Sequence, residues 1–309
     1  MAYKSSRDEC LSMSNLNLFV STIMYFSGYQ RSFDEADYVV FGVPFDGTST
    51  YRPGSRFAPT AIREASLNIE TYSFRSGVDV EDLKIHDAGD LHVCGNIDET
   101  LERVKLVCRD ILDNGKMPII IGGEHTITYG AVKAINGEFA LISFDAHLDL
   151  RDEYMGNRIC HATFMRRINE GFRPKVIVEV GTRAACKEEF KYVNEVDNIK
   201  YLTSQRILHA STEEILREIK DFIGDCGKIY VTIDMDVLDP AYAPAVQNPE
   251  PEGLSTSILL DILLGICDQR LIAFDIVEVT PHYDLGITAI QAAKIIFEVL
   301  SHSHRLGLK

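Results

Sequence analysis

No run of about 20 apolar residues, the length a membrane-spanning helix requires, occurs in this chain of 309 residues. The apolar stretch at 18–26 is broken by Ser21 and Thr22 and follows Lys4, Arg7, Asp8 and Glu9, a pattern unlike a secretory signal. Cysteine pairs are missing too. The seven cysteines (Cys10, Cys94, Cys108, Cys160, Cys186, Cys226 and Cys267) are scattered and form no Cys-x-x-Cys, which suits reduced thiols in a cytoplasmic protein better than a disulfide framework. Positive charge is scarce. Lys and Arg total 31 against 46 Asp and Glu, a net charge of -15, which excludes a nucleic-acid surface and leaves most of the acidity as solvated exterior. There is no Gly-x-Gly-x-x-Gly, and no Lys follows the glycines at 42 and 47, so dinucleotide and P-loop chemistry are excluded. No repeat, low-complexity tract or linker divides the chain.

What is present is a set of short apolar runs rich in β-formers, each ending in acidic or imidazole side chains. The run 139–143 leads into Asp145-Ala146-His147-Leu148-Asp149. On an extended chain side chains two apart point the same way, so Asp145, His147 and Asp149 are expected on one side. A second run, 228–233, ends in Asp234-Met235-Asp236 with Asp239-Pro240 just beyond, and a third, 118–121, ends in Gly122-Gly123-Glu124-His125. Three strands thus deliver four carboxylates and two imidazoles. A single Asp-x-Asp arises often by chance, but six such groups placed just after strands would be too costly to bury together without a counter-charge.

Six ligands of this kind favour two divalent ions over one. Oxygen-rich octahedral sites suit manganese and imidazole mixes extend to nickel or iron, whereas structural zinc would call for cysteine-rich sets that are absent here. Two ions about 3.5 to 4 Å apart can hold a bridging water, lower its pKa and present hydroxide to an electrophilic carbon at neutral pH. Metal-assisted hydrolysis is therefore expected.

Along the chain, strands are expected at 38–44, 84–88, 118–121, 139–143, 176–181, 228–233 and 271–279. Helices are expected at 60–72, 97–114, 126–134, 187–193, 212–223 (capped by Ser211), 255–268 and 288–300. Loops are read at 46–54, 89–92, 151–158 and 241–253. Continuously apolar strands separated by helices imply a parallel sheet covered on both faces, with its site at the carboxyl ends of the strands. Residues 1–33 read as an N-terminal extension and 34–309 as one catalytic domain.

With Gly122-Gly123-Glu124-His125, Asp145-Ala146-His147-Leu148-Asp149 and Ile233-Asp234-Met235-Asp236-Val237-Leu238-Asp239-Pro240 in place, the chain resembles the ureohydrolase family, the arginases and agmatinases, from about residue 38 onward. The resemblance implies a three-layer α/β/α arginase-like fold with a mainly parallel central sheet, and a binuclear Mn2+ centre in which Ni2+, Co2+ or Fe2+ are alternatives. One metal would take His125, Asp145, Asp149 and Asp234. The other would take His147, Asp145, Asp234 and Asp236, leaving Asp239 as a structural residue. Glu278 resembles the carboxylate that holds the substrate guanidinium, and His161 the histidine that relays a proton to the leaving amine. The neighbouring Cys160 is left structural, since hydroxide from the metals makes a thiol nucleophile unnecessary.

Gly42-Val43-Pro44-Phe45-Asp46-Gly47-Thr48 with Tyr51-Arg52-Pro53-Gly54-Ser55-Arg56 is similar to the agmatinase branch. Gly181-Thr182-Arg183 is followed by Ala184, where arginases carry an acid for the substrate's amino group, which points to agmatine. The segments Ala162-Thr163-Phe164, Ala245-Val246-Gln247-Asn248-Pro249-Glu250-Pro251 and His282 depart from the agmatinase pattern near the expected substrate tail. They keep guanidinobutyrase, arginase and formimidoylglutamase as alternatives. A metal-binding scaffold without turnover would have lost ligands, and none is lost; a zinc deacetylase would need fewer. The expected partner is a small cationic guanidino substrate, with no nucleic acid and no membrane, in a homo-oligomer, a trimer or hexamer by family resemblance.

Overall fold

A computed structural model describes residues 14–21 and 24–308. Its strands, in chain order, are β1 (Val20–Ser21), β2 (Tyr38–Gly42), β3 (Tyr72–Ser73), β4 (Val78–Asp79), β5 (Ile85–Leu91), β6 (Met117–Ile121), β7 (Ala140–Phe144), β8 (Val176–Thr182), β9 (Ile199–Thr203), β10 (Ile229–Asp234) and β11 (Leu271–Val277). The helices are α1 (Asn15–Phe19), α2 (Ala58–Ser66), α3 (Ile97–Asp113), α4 (Ile127–Val132), α5 (Phe164–Phe172), α6 (Lys187–Glu195), α7 (Ser204–Leu208), α8 (Thr212–Ile223), α9 (Thr256–Ile266) and α10 (Ile287–Arg305).

Nine strands form one sheet in the order β1-β5-β2-β6-β11-β10-β7-β8-β9, parallel throughout except at the β1–β5 edge. The inner strands are buried along their whole length because their alternate side chains enter two cores. Val40, Ile119, Ile142 and Val231 point to one core with α8, α9 and α10. Phe41, Ile120, Leu141 and Tyr230 point to the other, with α3, α4 and α5. This is the α/β/α layering expected of uniformly apolar strands.

Strand order creates the site. β6 and β7 follow one another in the chain, yet β11 and β10 lie between them in the sheet. Chains leaving the carboxyl ends of these strands diverge, and a crevice opens between them. The termini of β6, β11, β10 and β7 thereby become neighbours.

Several boundaries differ from expectation. β5 runs on through Leu91 because Ser21 and Val20 pair with Asp90 and Leu91, so residues 89–91 are strand rather than loop. The helix expected over 60–72 ends at Ser66, and its last part instead enters the small β3–β4 hairpin. β11 stops at Val277 because Glu278 takes a left-handed φ of 67°. β9, α5 and α7 were not anticipated.

The β2–α2 side is anchored by charge. Arg63 of α2 is 3% exposed and donates through Nε to Asp87 Oδ2 at 2.7 Å and through Nη2 to Asp87 Oδ1 at 3.0 Å, with Asp90 as a further partner. Asp87 also accepts from the Phe26 amide at 2.6 Å, tying the preceding segment to the sheet. Removing the guanidinium would leave a buried carboxylate uncompensated. Arg63→Ala should lower unfolding free energy by about 3–5 kcal/mol in urea titration, and a loss under about 1 kcal/mol would show the pair to be dispensable.

Candidate metal centre and active site

All six candidate ligands lie at or just beyond the carboxyl ends of three strands, β6, β10 and β7, with β11 between β6 and β10. β6 turns through Gly122-Gly123 to His125. A Cβ on Gly123 would lie 1.9 Å from the Phe45 carbonyl oxygen, so only glycine lets the β2 loop cross so closely. β10 ends at Asp234, whose Oδ1 accepts the Asp236 amide at 2.8 Å and starts the short turn carrying that second aspartate. β7 ends before Asp145, and here the simple alternation fails. The segment beyond Phe144 is not a strand, His147 makes a single bridge with Ala184, and Asp149 turns back with φ 50°. The convergence is real, but a left-handed turn makes it.

The side chains meet in two overlapping clusters, His125 with Asp145 and Asp149, and His147 with Asp145 and Asp236. His125 Nδ1 lies 3.1 Å from Asp145 Oδ2, 3.2 Å from Asp234 Oδ2 and 3.8 Å from Asp149 Oδ2. His147 Nδ1 lies 3.0 Å from Asp236 Oδ2 and 3.5 Å from Asp145 Oδ1. Asp145 belongs to both clusters, and Asp234 reaches the first. Asp239 stays apart: it accepts the amides of Ala241 and Gly253 and closes the loop between them.

The donor set fits a pair of divalent ions on its own chemistry. His125 Nε2 is engaged 2.8 Å from Thr232 Oγ1, while its buried Nδ1 has no hydrogen-bond partner among the described residues. Thr232 donates onward to Asp275, which also accepts the hydroxyls of Tyr230 and Thr128. The imidazole is held by its far nitrogen and presents the near one, the arrangement metal-binding histidines require. No thiolate enters either cluster.

The charge balance is strained without cations. Burial works against Asp145, but the His125 and His147 imidazoles close beside it outweigh that and hold its carboxyl below the usual range. Burial, then the charge of Asp145, drives Asp149 well up; burial, then Asp236, does the same to Asp234. For His125 burial opposes the charge, yet Asp145 and Asp149 prevail and push it up to about 9.

Glu278 and His161 complete the wall. Glu278 is 3% exposed; its Oε1 accepts the His125 amide at 2.6 Å, while Oε2 has no partner among the described residues. His161 is buried, with Nε2 3.3 Å from Thr50 Oγ1 and Nδ1 3.5 Å from Thr48 Oγ1. Burial, then the His147 charge, pushes its pKa down to about 4, so the ring is neutral at pH 7. Cys160 is buried, with Sγ 3.5 Å from Thr163 Oγ1, facing its own turn. Glu278, His161, His147, Asp149, Asp234 and Asp236 line one cavity of ≈ 320 Å³, together with Thr50, Arg151, Gln247 and Glu250.

The sequence model of the arginase family matches residues 36–301. The chain belongs to the arginase family. It is a metal-dependent amidinohydrolase, an α/β enzyme of that family. It is 43% identical, over 84% of its length and 90% of the relative's, to an uncharacterised protein of Methanothermus fervidus. It is 37% identical to the agmatinase of Bacillus subtilis, across 89% of this chain and 94% of that one. The crystal structure of the agmatine ureohydrolase of Thermoplasma volcanium superposes with a TM-score of 0.85 at 34% identity, covering 92% of this chain and 96% of that chain.

The Gly181-Thr182-Arg183 segment supports this arginase-family site from outside the ligand set. Arg183, in the Gly-Thr-Arg segment, donates to the carbonyl oxygens of Gly181 (3.1 Å), Asp236 (2.6 Å) and Glu250 (2.9 Å), and so clamps the turn that carries Asp236.

Because His125 is pushed up to about 9 and holds a proton at pH 7 that an ion must displace, metal uptake at pH 7 should release protons and weaken as pH falls. Calorimetry of Mn2+ binding in buffers of different ionisation enthalpy measures this, and a proton release of zero across the pH 6–9 range would contradict it.

Proposed function

We propose that the protein is a manganese-dependent agmatinase, hydrolysing agmatine to putrescine and urea. The observation that carries this reading is Glu278 Oε2, a buried carboxylate oxygen without a partner among the described residues, opening into the cavity that Asp234 and Asp236 share. A planar guanidinium with paired N–H donors suits that acceptor. Oxygen Oε1 is already fixed by the His125 amide, so the carboxylate is oriented before substrate arrives.

When bound, a pair of divalent ions would acidify water at neutral pH and supply the nucleophile. His125, Asp145, Asp149 and Asp234 are the proposed ligands of one ion, and His147, Asp145, Asp234 and Asp236 of the other. The reaction forms a C–O bond and breaks a C–N bond, turning a guanidinium and water into urea and an ammonium. The leaving nitrogen must therefore gain a proton. His161 is neutral and buried in the cavity wall, with one ring nitrogen able to accept a proton and the other able to give one. It is the proposed relay.

Ala184 and Ala185 line the rim, where an amino-acid head group would need an anionic partner, and Glu250 lies beside His147 at 4.0 Å. Both features suit a tail ending in an amine. A second reading, a guanidino acid such as guanidinobutyrate or a formimino acid, draws on Arg151. This cation lines the same rim and lies over the Tyr154 ring at 4.9 Å. The reading extends to a cytoplasmic homo-oligomer.

Mn2+-loaded protein should release urea from agmatine with a kcat/KM above that for arginine or 4-guanidinobutyrate. A preference for 4-guanidinobutyrate would replace the first reading with the second. Asp234→Asn and His147→Ala should each cut turnover by about a hundredfold or more. Glu278→Gln should lower kcat/KM by a factor on the order of 10², the loss of a charge-assisted pair. Full activity in the Glu278 variant would remove that residue from the guanidinium site.

A further inference from the structure

The residues around the cavity sort by burial into a floor and a rim. Asp234, Asp236 and Glu278 are at most 3% exposed, whereas Arg151, Tyr154, Asn248 and Glu250 are partly open to solvent. Gln247 belongs to the floor: it is 1% exposed, lines the cavity, and neither Oε1 nor Nε2 has a partner among the described residues. The backbone just before it is held in place. The Thr280 amide donates to the Ala245 carbonyl at 2.8 Å, and the Ala245 amide donates to Thr288 Oγ1 at 3.0 Å. Val246 bridges Val279 in antiparallel sense, which sets Gln247 across from Glu278.

A buried primary amide that makes neither of its hydrogen bonds is unfavourable, and a fixed loop does not hold one there by default. Beside it, Glu278 Oε2 is idle in the same cavity. Together the two side chains offer acceptors on adjacent edges and one amide donor. A guanidinium carries N–H donors on all three of its nitrogens, more than one carboxylate oxygen can accept. A formamidinium has a C–H where the guanidinium has its third nitrogen. An acceptor beside Glu278 therefore meets a donor in one head group and a C–H in the other.

We propose that Gln247 is a substrate-contacting specificity residue, its amide oxygen accepting a guanidinium N–H alongside Glu278 and so selecting guanidines over formamidines. This rests on the reading that Glu278 receives the head group.

The test uses the Mn2+-loaded full chain, the best guanidine of the substrate panel, and the formamidine with the same tail. Gln247→Met preserves length and removes both polar atoms. The expected result is a fall of about tenfold or more in kcat/KM for the guanidine, with the formamidine changed by less than about threefold, so the preference narrows. The melting temperature should hold or rise, since an unsatisfied buried amide has been replaced by an apolar chain. Unchanged kinetics, or equal losses on both head groups with a lowered melting temperature, would overturn the inference and leave Gln247 as packing. Wild-type protein inert towards every guanidine and formamidine would instead overturn the parent reading, so the two failures are told apart.

Discussion

Four aspartates and two histidines crowd into one largely buried cluster, and this crowding is the constraint that the rest of the molecule answers to. Like carboxylates at such distances repel, and burial strips the water that would otherwise screen them. Burial and the neighbouring carboxylates push Asp149 and Asp234 well above their usual range, while Asp145, held by two imidazoles, sits below it. Two divalent cations would answer the same demand without protons and would match the four aspartate charges. Affinity for metal and discomfort without it are one property seen from two sides.

Holding such a cluster takes structure that the ligands themselves do not supply. The sheet places four strand ends side by side. Behind them runs a buried polar row, Asp275, Thr232, Ser143 and Glu179, one residue from each of four neighbouring strands in register. Its Asp275–Thr232 end positions His125. Two site residues, Asp149 and Glu278, adopt left-handed backbone that costs a non-glycine residue about 1–3 kcal/mol each, so the surrounding packing must enforce both turns. Arg183 adds a clamp on carbonyls across the Asp236 turn.

Much of this was legible in the sequence, for a physical reason. Ligands of one site must sit beside strand ends, and strands buried on both faces announce themselves as unbroken apolar runs. Helix α8 was equally plain, because Ser211 accepts the Glu214 amide and the apolar residues at 215, 219 and 223 keep one face. The misses share a different cause. β9 is an outer strand with exposed and half-exposed positions, so its run is interrupted by Lys200. α5 carries two arginines and an asparagine that are functional contacts of the fold rather than a polar face: Arg167 reaches Asp152 and Asn169 reaches Tyr192. The Asp149 turn left only a faint mark, since glycine announces left-handed backbone most plainly and aspartate adopts it less often.

The two imidazoles His125 and His161 carry the last step. Burial alone would discharge both, because a dry pocket disfavours imidazolium. His125 faces Asp145, Asp149 and Asp234 and is pushed up to about 9; His161 faces threonine hydroxyls and the His147 charge and falls to about 4. The same residue type in one cavity is thus split by what stands opposite it. Environments that push two like groups apart assign them different work. On the proposed reading, the ring surrounded by carboxylates trades its proton for a cation, and His161, which no carboxylate holds, is left to carry a proton across the cavity.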